Sequence, residues 1–109
     1  MVQVRIREQA FVARLAAIKL RANSVAIVFG KTIYLWNASR EDLLNNTKWL
    51  RHEVAHVHQW NREGYFKFLM KYLIYSIQFG YKNNPYEIEA AEAENDPTVL
   101  DNVELPSII

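Results

Sequence analysis

The pattern of apolar and polar positions predicts a short β-region that is preceded and followed by helices. Apolar residues at helical spacing predict a helix over residues 5–21, although the alternation in its first turns also allows a short strand there. Residues 24–36 contain two runs of β-branched and aromatic residues separated by Gly30 and Lys31. Glycine at the first central position of a two-residue loop is typical of a type II′ turn, so this segment is predicted to be an antiparallel hairpin.

Three longer helices are predicted after the hairpin, over about residues 47–63, 65–79 and 85–95. Ser39, with an acid three residues later, indicates a short helix before them. The second long helix is dense in aromatic residues and has little polar surface, so we expect it to be buried centrally or covered by a partner, with central burial favoured. Asn84 before a proline is typical of the start of the third.

Composition narrows the class of protein. Half of the 109 residues are apolar, which suffices for one domain with its own core. The absence of cysteine excludes a disulfide scaffold, a thiolate zinc site and a cysteine nucleophile. A net charge of +1 gives no reason to expect nucleic-acid binding. Without an apolar leader or a long apolar stretch, the sequence predicts a soluble, cytoplasmic protein without membrane contact.

His52, Glu53 and His56 form a His-Glu-x-x-His motif within the first long helix. Residues four apart on a helix lie on one face, about 6 Å apart at Cβ, so two imidazoles there can bind one zinc ion at about 2.0–2.1 Å. Glu53 is rotated by about 100° from His52. It is therefore expected to act as general base on a zinc-bound water rather than as a ligand. The alternative, two histidines on a surface helix by chance, is rare at this spacing.

A catalytic zinc site needs a third protein ligand. The spacing of His58 places it on the opposite side of the helix, and Gln59 and Arg62 stand where the metzincin motif has glycine and histidine. The ligand is then expected from the acid-rich helix over residues 85–95. Its candidates are Glu87, Glu89, Glu92 and Glu94. A capping role at the helix start is the alternative for the first, and solvated surface charge is the alternative for the last two.

Residues 49–59 and 80–90, with the hairpin between residues 25 and 36, resemble small bacterial proteins known as minimal gluzincins or minigluzincins. The resemblance implies an α+β, zincin-like domain over residues 1–109, with residues 97–109 as a C-terminal tail. Its small antiparallel sheet, the hairpin at about 24–36, would pack on the metal helix, the aromatic helix and the glutamate helix.

The same resemblance implies Zn²⁺ bound by His52, His56 and Glu87, with Glu92 and Glu89 as fallbacks. Better-known gluzincins carry an acid four residues after the glutamate ligand to orient a histidine, but that position is Ala91 here. Only the alternative pair Glu92 and Asp96 has that spacing. The resemblance also implies that a peptide pairs with a sheet edge, expected at residues 31–36.

Three functions follow as hypotheses. The first is zinc-dependent hydrolysis of a peptide or protein substrate. The second is a latent peptidase whose tail blocks the cleft, with Asp101 or Glu104 at the open zinc position and the tail's apolar residues in the cleft. The third is a zinc-binding interaction module without turnover, to which the aromatic helix could add a homodimer contact.

Overall fold

A computed structural model of the chain describes residues 1–107 and shows an α+β fold. Its strands are β1 (Val2–Gln3), β2 (Arg5–Arg7), β3 (Val25–Phe29), β4 (Thr32–Trp36) and β5 (Val103–Glu104). Its helices are α1 (Phe11–Leu20), α2 (Arg40–Asn45), α3 (Thr47–Glu63), α4 (Tyr65–Phe79) and α5 (Pro85–Ala93), followed by a 3-10 turn at Pro97–Leu100. The predicted metal, aromatic and glutamate helices therefore exist within two residues of their expected bounds.

The main sheet is mixed rather than antiparallel and has the strand order β2-β4-β3. The hairpin prediction is confirmed, since β3 and β4 pair antiparallel around Gly30, whose φ of +65° suits the predicted turn. However, β2 pairs in parallel with β4. The expected edge at residues 31–36 is therefore wrong: β4 is the central strand, and β3 presents the edge nearest the metal helix.

The N-terminal segment is mostly strand, and α1 begins only at Phe11. The alternation before it buries Val4 and Ile6 against the sheet, which favours extended backbone over the first turns of a helix. Helix α1 then buries only Ala13 and Ala17. The predicted helix over residues 5–21 is correct in its second half alone.

Helix α3 forms the centre of the fold. Asn46 caps its start by accepting a hydrogen bond from the Trp49 backbone N–H, and Gly64 ends it. Leu50, Val54 and Val57 are buried as one stripe against the sheet. The same helix contacts β3, α4 and α5, so its other faces also lie inside the molecule.

Helix α4 is largely exposed, which overturns the expectation that it is a buried central helix. Phe68 is its one buried residue, whereas Phe66 and Ile77 are 80% and 88% exposed. The helix packs on α3 through Phe68 and on Tyr86 of α5 through Tyr72 and Tyr75, and much of its remaining apolar surface is exposed. Within residues 1–107, no helix combines the length and apolar character needed to cross a membrane.

The C-terminal tail passes over α3 at His58 and then pairs with the N-terminal strand. Strand β5 pairs in parallel with β1, and the Gln3 side chain donates a hydrogen bond to Glu104. Leu100, Val103 and Leu105 pack against the core. The expectation that Asp101 or Glu104 occupies the cleft is therefore wrong for the described part of the tail; residues 108 and 109 lie outside it.

Candidate metal centre

Three ligand groups converge where α3 meets the start of α5. The Nε2 atoms of His52 and His56 each lie 3.2 Å from Oε1 of Glu87. One ligand atom from each residue lies within 4.8 Å of the other two. His56 and Glu87 are buried, and His52 is partly so. This group could hold a metal ion.

Local structure explains why these three side chains meet. His52 and His56 are four residues apart on α3 and therefore share a face. Asn84 caps α5 through its side-chain oxygen and the Tyr86 backbone N–H, and its amide nitrogen donates to the Tyr72 carbonyl, so the helix start is fixed against α4. Glu87 lies in the first turn of α5, where the helix dipole favours a carboxylate.

Each histidine is oriented through its second ring nitrogen. His52 Nδ1 lies 2.9 Å from Glu94 Oε2, and His56 Nδ1 lies 2.8 Å from Gln59 Oε1. Both partners can accept from a protonated Nδ1, which leaves both Nε2 atoms directed at Glu87. His52 thus has an acidic partner in Glu94, although the resemblance led us to expect an orienting acid at Ala91.

The two histidines and the nearby glutamates shift one another's pKa values. Burial opposes protonation of His52, but hydrogen bonds to Glu87 and Glu94 and the charge of Glu53 outweigh it and raise the pKa of His52 to about 9. Burial likewise opposes a raised pKa for His56, yet contact with Glu87 raises it. Despite its burial, hydrogen bonds from both histidines hold the pKa of Glu87 far below its ordinary value. The same contacts therefore favour protonated histidines and an ionised Glu87.

Two tyrosines border the centre, and sequence reasoning did not assign them. The Tyr72 hydroxyl donates to Glu87 Oε2 at 2.6 Å, and burial together with the charge of Glu87 raises the pKa of Tyr72. Burial and Glu87 also raise the pKa of Tyr81. Both hydroxyls therefore stay protonated as hydrogen-bond donors. The nearby Tyr86 packs into the aromatic core on Phe68.

Glu53 lies beside the ligand group without joining it. Its carboxylate is buried and lines a cavity of about 240 Å³ that also reaches His56, Glu87 and both bordering tyrosines. Burial raises the pKa of Glu53 to about 7, against the opposing charges of His56 and His52. A carboxylate with such a pKa can accept and return a proton near neutral pH.

The remaining candidates have other roles. Glu89 accepts from Gln59 and forms an ion pair with Arg62, and Glu92 is exposed. His58 Nε2 contacts the Val99 carbonyl at 2.8 Å on the far side of α3, as its spacing predicts. Among the described residues, Glu87 is therefore the acid of α5 that meets the two histidines. Glu94 was missed as an orienting residue because its contact with His52 joins two different elements, which spacing along one helix does not show. Gln59 lies three residues after His56 on α3, so helical spacing could have identified it.

Comparison with known proteins adds no relative: no protein-family model, curated protein or solved structure matches the chain.

Proposed function

We propose that this chain is a zinc-dependent peptidase of the gluzincin type, with a zincin-like fold. The observation that carries the proposal is the convergence of His52, His56 and Glu87 at one end of a cavity that also contains the buried carboxylate of Glu53. Two histidines and a glutamate are a recurring ligand set of catalytic zinc, and three protein ligands leave a position open for substrate chemistry.

The donor geometry fits zinc. Bonds of about 2.0–2.1 Å in a tetrahedron place neighbouring ligand atoms about 3.3 Å apart. The separation of 3.2 Å between each histidine Nε2 and Glu87 Oε1 matches this spacing. The two imidazole nitrogens favour zinc and other divalent transition metals over magnesium or calcium, which prefer oxygen ligands.

Zinc bound at this group would supply Lewis-acid activation of a water molecule and of a peptide carbonyl. Glu53 is placed to remove a proton from the attacking water and to return it to the leaving amine. Its burial is essential here, because a solvated glutamate would be too weak a base at neutral pH. Tyr81 has a hydroxyl donor beside the same cavity that is available to stabilise negative charge on the carbonyl oxygen, whereas the Tyr72 hydroxyl already donates to Glu87.

Substrate would lie along β3 rather than β4. All five residues of β3, Val25–Phe29, line the cavity, and this strand pairs on one side only. An extended peptide can add to such an edge through main-chain hydrogen bonds. The Val28 carbonyl already accepts from Trp60 Nε1 at 3.2 Å, so the part of the edge nearer Val25 is the more available.

The test compares the parent chain with Glu53→Gln, each loaded with zinc and checked for equal metal content. We expect hydrolysis of a mixed peptide library by the parent and a loss of at least about 100-fold in the variant, because general base catalysis contributes that much. Chelation should abolish the parent's activity, and zinc should restore it. Equal hydrolysis by both proteins at equal zinc content would contradict the proposal.

The exposed apolar surface of α4 favours one second candidate, a zinc-binding interaction module without turnover. A homodimer through α4 would be one form of it. If the zinc-loaded parent hydrolyses no peptide and sediments as a dimer, this function takes precedence.

A further inference from the structure

We infer that the cavity selects peptide segments with a large apolar side chain, which would be held between β3 and α4 beside the metal centre. This inference rests on the proposed function and assigns the substrate class for that same site. It is drawn from the walls of the cavity rather than from its catalytic end.

The walls are apolar on three sides. Helix α4 contributes Leu69 and Leu73, α1 contributes Leu20, and β3 contributes Ile27 opposite them. Apart from Glu53, His56, Glu87 and the two tyrosine hydroxyls, the lining side chains are apolar, with the indole of Trp60 already donating to the Val28 carbonyl. A charged or small polar substrate side chain would lose hydration there without gaining a partner.

The size of the cavity suits one large side chain. Its volume is about 240 Å³. An apolar cavity of about 150 Å³ is enough to bind benzene. A leucine or phenylalanine side chain therefore fits, and the rings of Phe29, Trp60 and Tyr65, packed at the turn of the hairpin, close off that end of β3.

The free protein leaves much of this apolar wall in contact with water. Leu20, Leu69 and Leu73 are 44%, 38% and 49% exposed. Covering them with an apolar side chain would be favourable at roughly 25 cal/mol per Å² of apolar surface. A ligand that enters the cavity would cover all three residues at once, since they line it from two different helices.

A peptide fits these observations better than a lipid or a second copy of the chain. The cavity joins an apolar wall to a strand edge and to the proposed reacting groups, and an extended peptide uses all three. An acyl chain would leave the strand edge unpaired, and a second folded copy would have to place an exposed strand into a cavity sized for one side chain.

The test uses peptides that differ at one central position, carrying leucine, phenylalanine, serine, aspartate or lysine, with the zinc-loaded protein. We expect kcat/KM for the leucine and phenylalanine peptides to exceed that for the serine peptide by at least about tenfold. Leu73→Ser and Leu69→Ser should reduce this ratio several-fold. Ile77→Ser is the matched control on α4, because Ile77 is 88% exposed and does not line the cavity.

Binding separates this inference from the proposed function. Labelled versions of the same peptides are titrated against zinc-loaded Glu53→Gln by fluorescence anisotropy. Tighter binding of the leucine peptide, weakened by Leu73→Ser and not by Ile77→Ser, supports the inference even if the parent hydrolyses nothing. Equal handling of serine and leucine peptides overturns it even if hydrolysis is observed. An apolar preference that Leu73→Ser and Leu69→Ser leave unchanged also overturns it. The inference is likewise overturned if dimerisation abolishes peptide binding, or if added lipid vesicles abolish it and the leucine peptide does not compete with them.

Discussion

Helices α4 and α5 both pack on α3, yet α4 leaves most of its apolar residues exposed, whereas α5 buries a charged one. Helix α5 is short and rich in acids, and it buries Tyr86, Glu87 and Ala90. Helix α4 is longer and more apolar, and it buries Phe68 alone. The apolar helix is thus the exposed one, and the acidic helix carries a buried carboxylate.

The difference follows from approach distance and from hydrogen bonding. Ala90 is fully buried, and a small side chain there lets α5 lie close to α3, so that Glu87 reaches both histidines. Burial of this carboxylate is tolerated because His52, His56 and Tyr72 all contact it. Helix α4 has bulky residues on every side and touches α3 along one narrow face. Apolar content therefore indicates what a helix could bury, whereas its neighbours decide what it does bury.

A pair of truncations on α4 tests the difference between its buried and its exposed apolar residues. Phe68→Ala should lower the free energy of unfolding by about 3–5 kcal/mol, because a buried ring that packs on Trp60 and Tyr86 is lost. Phe66→Ala, two residues away and 80% exposed, should change it by no more than about 0.5 kcal/mol. Denaturant unfolding measures both. A large loss for Phe66→Ala would mean that a partner covers the exposed face.

At the end of α5, removing the charge of Glu94 tests whether this residue orients His52. Glu94→Gln should weaken zinc binding by about 10–100-fold, since His52 loses its charged Nδ1 partner. Glu92→Gln is the matched control, being an exposed glutamate two residues away. Competition with a chromophoric chelator gives the affinities. If the two variants bind zinc equally well, Glu94 does not orient His52.

The pH dependence of the metal-free protein tests the buried charges of this region. The folded pKa of His52, about 9, exceeds its ordinary value of 6.5, so its stabilising contribution is complete below pH 6.5 and is lost as pH rises through 9. The pKa of Glu53, raised by burial from 4.5 to about 7, acts in the same direction, because stability is lost as pH rises from 4.5 through 7. Glu87, with a lowered pKa, acts oppositely and loses its contribution as pH falls below 4.5.

Stability without metal should therefore be greatest near pH 4.5, should fall above it as Glu53 and then His52 lose their protons, and should be lower at pH 9 than at pH 5.5. Each 1 kcal/mol would move Tm by about 4–8 °C, which thermal unfolding detects readily. Added zinc should stabilise more at pH 8 than at pH 5.5, because ligation requires deprotonated histidines. A metal-free protein with a higher Tm at pH 9 than at pH 5.5 would contradict this view of the centre.

Sequence reasoning was strongest where the information is local. The spacing of His52 and His56, the cap at Asn84 and the hairpin turn at Gly30 depend on neighbours within a few residues, and the structure agrees with each. The choice of Glu87 came from the resemblance, and the structure places that residue against both histidines.

The errors all concern contacts between distant segments. The parallel pairing of β2 with β4 made β3 the edge strand, and no local pattern signals a partner that lies about 27 residues away. Strand β5 of the tail pairs with β1 near the other end of the chain, and the spacing of residues within the tail does not reveal this pairing. The role of Glu94 depends on how close the end of α5 lies to α3. Such distances are set by packing and not by the period of one helix.

The central claim is that His52, His56 and Glu87 bind one metal ion together. Zinc titration of the metal-free chain, followed by isothermal calorimetry and by metal analysis after gel filtration, tests it directly. The account predicts one zinc per chain for the parent and for Glu92→Ala, and a loss of at least about 100-fold in affinity for Glu87→Ala, which removes one of three protein ligands. A parent that binds no zinc, or a Glu87→Ala variant that binds it as tightly as the parent, would contradict the account.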